Sequence, residues 1–124
     1  MNSVDKNEEY HDKLKRLMDE YAHLVYRLTK KYPQDELYGI TSQVRRSSVS
    51  VVLNYIEGYA RFKNKVYINF LEISYGSLKE TMYLLHFSLV ERYINHDEYK
   101  IADKLANEIA AMLWGIINNK KREA

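Results

Sequence analysis

The sequence contains no cysteine, one proline and four glycines in 124 residues. Without cysteine there can be no disulfide and no thiolate metal site. With so few chain breakers, long uninterrupted helices are open to it. An excess of one charge is missing too. The 19 Lys and Arg against 17 Asp and Glu leave a formal net charge of +2, far from the surplus of a dedicated nucleic-acid protein. Long apolar runs are absent: AAMLWGII near the end is too short to span a bilayer. The start, MNSVDKNEEY, has no apolar centre and does not read as a signal peptide. No alternating apolar run marks a strand. The length suits a single domain, 1–124, that buries its own core, with residues 1–7 and 119–124 as flexible ends. Cytoplasmic residence without a membrane partner is the expectation.

What is present is helical periodicity. Leu14, Leu17, Tyr21, Leu24 and Leu28 step by three and four residues along a first segment, about Glu8 to Tyr32, with Met18, Val25 and Tyr32 widening the stripe. Pro33 ends it, because the residue before proline is pushed out of the helical region. Asp35 or Thr41 is placed to cap a second helix that ends near Arg61. Asn64 is placed to cap a third, about Lys65 to Tyr93, roughly 45 Å long. Its seam reads Leu71, Tyr75, Leu78, Met82, Leu85 and Leu89. A fourth runs from about Asp97 to Asn118 on Ile101, Leu105, Ile109, Met112 and Ile116, with Ala102, Ala106 and Ala110 allowing close approach. Four long helices with short connections predict an all-α, antiparallel up-down-up-down four-helix bundle. Two adjacent apolar stripes on the first and fourth helices exceed what one core needs and predict a subunit contact there.

The second helix carries an anomaly. Through its apolar residues runs a polar stripe of Arg46, Ser50, Asn54 and Glu57, spaced to share one face, with Gly58 directly after. On the third helix Ser74, Ser77 and Glu80 also share a face, beside Gly76. Small hydroxyl residues let two helices approach closely. We read these residues as a structural polar network between the two helices, or between the same elements of neighbouring subunits. A buried arginine needs a carboxylate, so Glu57 and Glu80 are the expected partners of Arg46, with Arg45 in a similar part. Gly58 is a close-approach point or the helix end.

Those residues carry a resemblance. The runs QVRRSSVS and NYIEG, residues 43–50 and 54–58, followed by FL and GSLKE, residues 70–71 and 76–80, resemble the four-helix-bundle proteins encoded in intervening sequences of bacterial 23S ribosomal RNA genes. That family includes the accessory variability determinants of diversity-generating retroelements. The resemblance spans nearly the whole chain, and its specific part is Gln43, Arg45, Arg46, Ser50, Asn54, Glu57, Gly58, Gly76, Ser77 and Glu80. It implies a bundle that assembles into a ring, typically a homopentamer. In the retroelement branch it implies binding of RNA or DNA and of a protein partner, a reverse transcriptase. Leu53 and Ile56 depart from the family pattern, which has small residues there.

Enzymatic readings are weaker. Glu8–His11 and Glu20–His23 have the Glu-x-x-His spacing of di-iron bundles, but both lie on the first helix, about 18 Å apart. Arg92 and His96 faintly resemble a nuclease pair, yet they fall at an expected helix end, where a histidine more often meets the dipole. A non-enzyme without metal or cofactor is the expectation. Basic residues are grouped, and Lys30, Lys31, Arg61, Lys63 and Lys65 are the candidate nucleic-acid contacts, their modest charge multiplied by the symmetry of a ring. The twelve tyrosines, Tyr21, Tyr75 and Tyr83 among them, read as core and interface residues rather than base-stacking platforms. The rival to a nucleic-acid-binding adaptor is a protein-binding structural ring.

Overall fold

A computed structural model describes residues 6–123. Four α-helices follow in order: α1 (Lys6–Thr29), α2 (Ile40–Tyr59), α3 (Asn64–Val90) and α4 (His96–Glu123), with a short 3-10 turn at Gln34–Glu36. Consecutive helices pack on one another and α1 closes on α4, while the diagonal pairs stay apart. This is the antiparallel bundle that the periodicity predicts. No helix among the described residues is long and apolar enough to cross a membrane. Of the ends expected to be flexible, 1–5 and 124 lie outside the described residues. Residues 6–7 already belong to α1, and 119–123 continue α4.

The helix ends show local chemistry at work. Acidic residues open α1 and α4, and basic residues close them, which suits the helix dipole. Asn95 caps α4: the Glu98 N–H donates to its Oδ1 at 2.8 Å, and its own N–H donates to Glu98 Oε1 at 2.9 Å. This reciprocal pair satisfies two otherwise orphaned donors. At the close of α3, Tyr93 N–H reaches Ser88 O at 2.8 Å and Arg92 N–H reaches Leu89 O at 3.0 Å, the two bonds of a Schellman close. Arg92 occupies the left-handed position, φ 65°. Asn64 does not cap α3 with its side chain; it lies inside the first turn and donates to Lys120 O at 3.3 Å, pinning α3 to α4. Neither Asp35 nor Thr41 caps α2. Thr41 is already inside the helix and buried, and the Ile40 N–H instead meets Glu36 Oε1 at 3.5 Å.

The core is built from Leu14, Met18, Tyr21, Val25 and Leu28 of α1, Val44, Val51 and Tyr55 of α2, Leu71, Leu78 and Leu85 of α3, and Ala102, Ala106, Ile109, Leu113 and Ile117 of α4. Two helices are rotated from their expected faces. In α1, Met18 and Val25 point inward while Leu17 and Leu24 sit half-buried. In α4 the alanines take the inner face, and Ile101 is 62% exposed. Alanine gives close packing where a larger side chain would hold the helices apart.

The apolar excess lies elsewhere than expected. The exposed apolar side chains are concentrated on α2 (Leu53, Ile56, Tyr59) and α3 (Ile73, Tyr83, Phe87, Val90) rather than on α1 and α4. Along α3 they fall, together with Gly76 and Glu80, on steps of three and four: 73, 76, 80, 83, 87, 90. That is a second seam on the outer face of the helix.

Candidate nucleic-acid interface

The polar stripe resolves into two parts. Its hydroxyl, Ser50, meets α3, and its amide, Asn54, braces that hydroxyl from the same helix. Ser50 and Ser77 share a hydrogen bond of 2.9 Å, and Asn54 Nδ2 donates to Ser50 Oγ at 2.8 Å. Ser74 Oγ donates across the seam to Val51 O at 2.6 Å. Sequence reasoning missed the members Ser47 and Thr81, which are 2.7 Å apart and buried. A signal was present: Ser74, Thr81 and Ser88 recur every seven residues, interleaved with Leu71, Leu78 and Leu85. All six are buried. Three of the eight buried residues of α3 are therefore hydroxyl, and a search for apolar residues alone does not see them. Gly58 marks a close approach: a Cβ there would lie 2.9 Å from Phe70 Cβ and 3.3 Å from Tyr67 Cδ1.

The charged members stand apart. Arg46 is exposed and donates to Ser42 Oγ at 3.3 Å. Glu57 pairs with Arg61 one turn on, and Glu80 is exposed. The expected pairing of Arg46 with Glu57 or Glu80 is not made within the chain. The reason is position: these residues lie at the outer margin of the seam, where water solvates a charge and no partner is required. Arg45 also differs from expectation. Its Nε donates to Thr29 Oγ1 at 2.7 Å and its guanidinium lies 4.7 Å from the Tyr26 ring centroid, so it ties α2 to α1. Leu53 and Ile56 point to solvent, away from the α2–α3 seam.

The basic groups divide between the two ends of the bundle. Lys30 and Lys31 follow α1, beside the start of α4, where Lys31 pairs with Glu98. This bond, and then the Asn95 N–H, hold the Glu98 carboxyl below its usual range. Arg61, Lys63 and Lys65 lie at the opposite end, in and beside the α2–α3 connection. The antiparallel course of α4 brings Lys120, Lys121 and Arg122 to the same end. There Arg61 pairs with Glu57, Lys121 with Glu72 and Lys120 with Glu123. Lys63, Lys65 and Arg122 make no ion pair among the described residues.

That same end holds a cavity of about 660 Å³, walled by the start of α1, the end of α2, Tyr67 of α3 and Lys120 of α4. His11 Nδ1 is hydrogen-bonded to the Tyr55 hydroxyl, and its ring stands edge-on to Tyr59 at 4.6 Å. Tyr59 in turn contacts Tyr55 and Tyr67, and Lys120 Nζ lies 5.8 Å from the Tyr67 ring centroid. Burial, and then the charge of Lys120, push the His11 imidazole below its ordinary pKa. Burial pushes the Tyr55 phenol up, and that of Tyr67 up to about 12. Sequence reasoning did not find this cluster, because its members come from four helices with no common spacing; the tyrosine count was the only sign. Of the tyrosines singled out earlier, Tyr21 is buried in the core, Tyr75 packs on Trp114 and Tyr83 is exposed.

The Glu-x-x-His pairs do not converge. His11 belongs to the tyrosine cluster, and His23 lies 3.6 Å from Asp19 on an exposed face. No group of three potential ligands to a metal ion forms among the described residues. His96 begins α4 rather than ending α3.

No curated protein matches the chain. Among solved structures, a protein of unknown function from the S23 ribosomal protein family of Bacteroides thetaiotaomicron is similar, with a TM-score of 0.78 and 26% identity over 84% of this chain and 97% of that one. The model of the 23S rRNA-intervening sequence protein family matches residues 12–115. The bundle, the hydroxyl seam and this match agree, and the chain belongs to the 23S rRNA-intervening sequence protein family.

Proposed function

We propose that the chain is a non-enzymatic accessory or adaptor protein of the cytoplasm, assembled as a closed homo-oligomer, a pentamer by family resemblance, that binds RNA or DNA through summed basic surface. The observation that carries the nucleic-acid reading is the gathering of Arg61, Lys63, Lys65, Lys120, Lys121 and Arg122 at one end of the bundle, three of them without an acidic partner. Repeated around a ring, that end would neutralise several phosphates. The outward seam of α3 supports assembly, since an apolar stripe along a helix is a contact surface in search of a partner. Arg46 and Glu80 flank these surfaces and would find their ionic partners on a neighbouring subunit, while Glu57 already pairs with Arg61. A ring of this kind needs no cofactor.

The outward apolar surface also supports a second reading, a structural ring that binds a protein, such as a reverse transcriptase, without nucleic-acid affinity. One pair of measurements separates the two. Light scattering behind size exclusion tests assembly, and a monomer at tens of micromolar (about the range where a dedicated oligomer persists) overturns it. Anisotropy of a labelled RNA across a salt series tests binding. The adaptor reading expects affinity to fall steeply with salt, and to weaken when Lys63 and Lys65 are changed to Glu. No binding at low salt leaves the protein-binding ring.

A further inference from the structure

The outside of the bundle carries two unlike surfaces. One is a ridge, the α3 seam of Ile73, Gly76, Glu80, Tyr83, Phe87 and Val90. Its only charge is acidic: Glu80 is exposed and makes no ion pair among the described residues. The other is a groove of about 720 Å³ between the end of α1 and α2, with Tyr26, Leu37, Tyr38, Val49 and Leu53 on its wall. Tyr38 is 93% exposed. Among the described residues no carboxylate lines this groove, and two arginines do. Arg45 is held by Thr29 and the Tyr26 ring. Arg46 has only Ser42 Oγ, at 3.3 Å, and no acidic partner. The groove is apolar and basic; the ridge is apolar and acidic.

The two surfaces also match in height along the bundle. The bonds Ser47–Thr81, Ser50–Ser77 and Ser74–Val51 O fix the register of α2 against α3. Counted from them, Leu53 stands level with Ile73. Arg46 stands within about two residues of the height of Glu80, a rise of ~3 Å. The Tyr93 hydroxyl donates to Glu36 Oε2 at 2.9 Å, which sets the turn bearing Leu37 and Tyr38 at the end of α3, where Phe87 and Val90 lie. A rotation about an axis along the helices carries each subunit to the next without changing height, and repeated head-to-tail contacts of that kind close a ring. Residues that stand level are then the ones that meet. Seam on seam is the poorer fit, because a two-fold contact there would bring two Glu80 carboxylates together near its centre.

We propose that the occupant of the groove is a second copy of this chain: the α3 ridge of one subunit docks in the α1–α2 groove of the next, head to tail, and Glu80 pairs with Arg46 across the contact. The proposal deepens, and rests on, the reading of the chain as a closed homo-oligomer. It names the two surfaces and the direction of the ring axis. It also accounts for two opposite charges left without ionic partners on neighbouring helices. Gly76, one turn before Glu80 and with nothing within 4 Å of a Cβ there, lets the ridge sit close to its neighbour.

The test is a charge swap on the full chain, read by light scattering behind size exclusion. Arg46→Glu and Glu80→Arg should each weaken association at every contact about tenfold or more, because like charges then face each other. The assembled mass should fall in both. The double variant, Arg46→Glu with Glu80→Arg, should recover the wild-type mass, since the pair is restored with its signs exchanged. Lys104→Glu, an equal change of charge on an exposed position of α4, should leave the mass alone. Circular dichroism should be the same in all of them, because each altered side chain is exposed. An assembled wild type whose mass neither single reversal lowers overturns this contact and leaves assembly through another face. Single reversals that dissociate the ring without recovery in the double variant overturn the Arg46–Glu80 pairing. A wild-type dimer overturns the head-to-tail arrangement, and a wild-type monomer overturns the assembly reading and this contact with it.

Discussion

Ser47 and Thr81 hold one hydrogen bond, 2.7 Å long, across the α2–α3 seam, where both are shut off from water. Each also lies within reach of a carbonyl of its own helix, Ser47 of Val44 O at 3.2 Å and Thr81 of Ser77 O at 2.8 Å. Each hydroxyl has one proton, so one of them donates across and the other donates home. Replacing either partner, Ser47→Ala or Thr81→Val, should cost about 0.5–1.5 kcal/mol. The double variant should cost less than the sum of the two, because the bond between them is lost only once. Urea unfolding of the four proteins measures this coupling, and strict additivity would show that the bond contributes nothing.

Two glycines should respond in opposite directions. A methyl group at Gly58 would collide with Phe70, and Gly58→Ala should destabilise by about 1–3 kcal/mol through overpacking. Nothing lies within 4 Å of the corresponding position at Gly76. There alanine should stabilise the isolated fold by about 0.5–1 kcal/mol through helix propensity. Gly76 is also on the outward seam of α3. Should Gly76→Ala lower the assembled mass while raising the melting temperature at low concentration, the bare position is reserved for a neighbouring subunit.

Arg92 stands at φ 65° in the position that glycine normally fills at a helix end. A side chain there costs roughly 1–2 kcal/mol of backbone strain, partly offset by the extra freedom glycine has when unfolded. Arg92→Gly should therefore raise stability by about 0.5–1 kcal/mol. Thermal unfolding would show it as an upward shift of a few degrees.

Acid should act through His11. Burial and Lys120 hold its folded pKa below the ordinary 6.5, so between those two values the unfolded chain binds the proton and the folded chain does not. Stability then rises with pH through that window, and is fully present above the unfolded value. Lowering the pH through 6.5 toward the folded value withdraws it. Comparing urea midpoints of the wild type and His11→Gln from about pH 7 to about pH 5 isolates the effect: the slope should be shallower in the variant. Equal slopes would mean that the His11–Tyr55 bond survives protonation.

Much of the architecture was legible because helices announce themselves by period. The four segments, their order and their antiparallel course follow from apolar spacing and one proline. What spacing cannot settle is which of two adjacent stripes faces in. α4 turns its alanines to the core and Ile101 to water, since the partner helices determine how much room remains. The hydroxyls of α3 were only half visible, because Thr81 and Ser88 satisfy their own helix carbonyls at 2.8 and 2.7 Å and so enter an apolar core at little cost. Arg46 misled for the opposite reason. Sequence places it on the face of Ser50 and Asn54, but cannot say that the face runs out into solvent one turn away. The cavity around His11 was not legible at all, since it exists only once four helices have met.

The short connection between α2 and α3, residues 60–63, has a consequence for how the bundle comes together. These two helices form the most extensive contact in the fold, and they are joined by the tightest link. Closing so small a loop sacrifices little chain entropy, so their pairing is the most local step open to the chain and topology favours it early. During synthesis this hairpin emerges from the ribosome ahead of α4, and α4 then docks on a partner already half built. The expected trace is a gradient in amide exchange, slowest at the centres of α2 and α3 around Val51 and Leu78, and fastest toward the outer ends of α1 and α4.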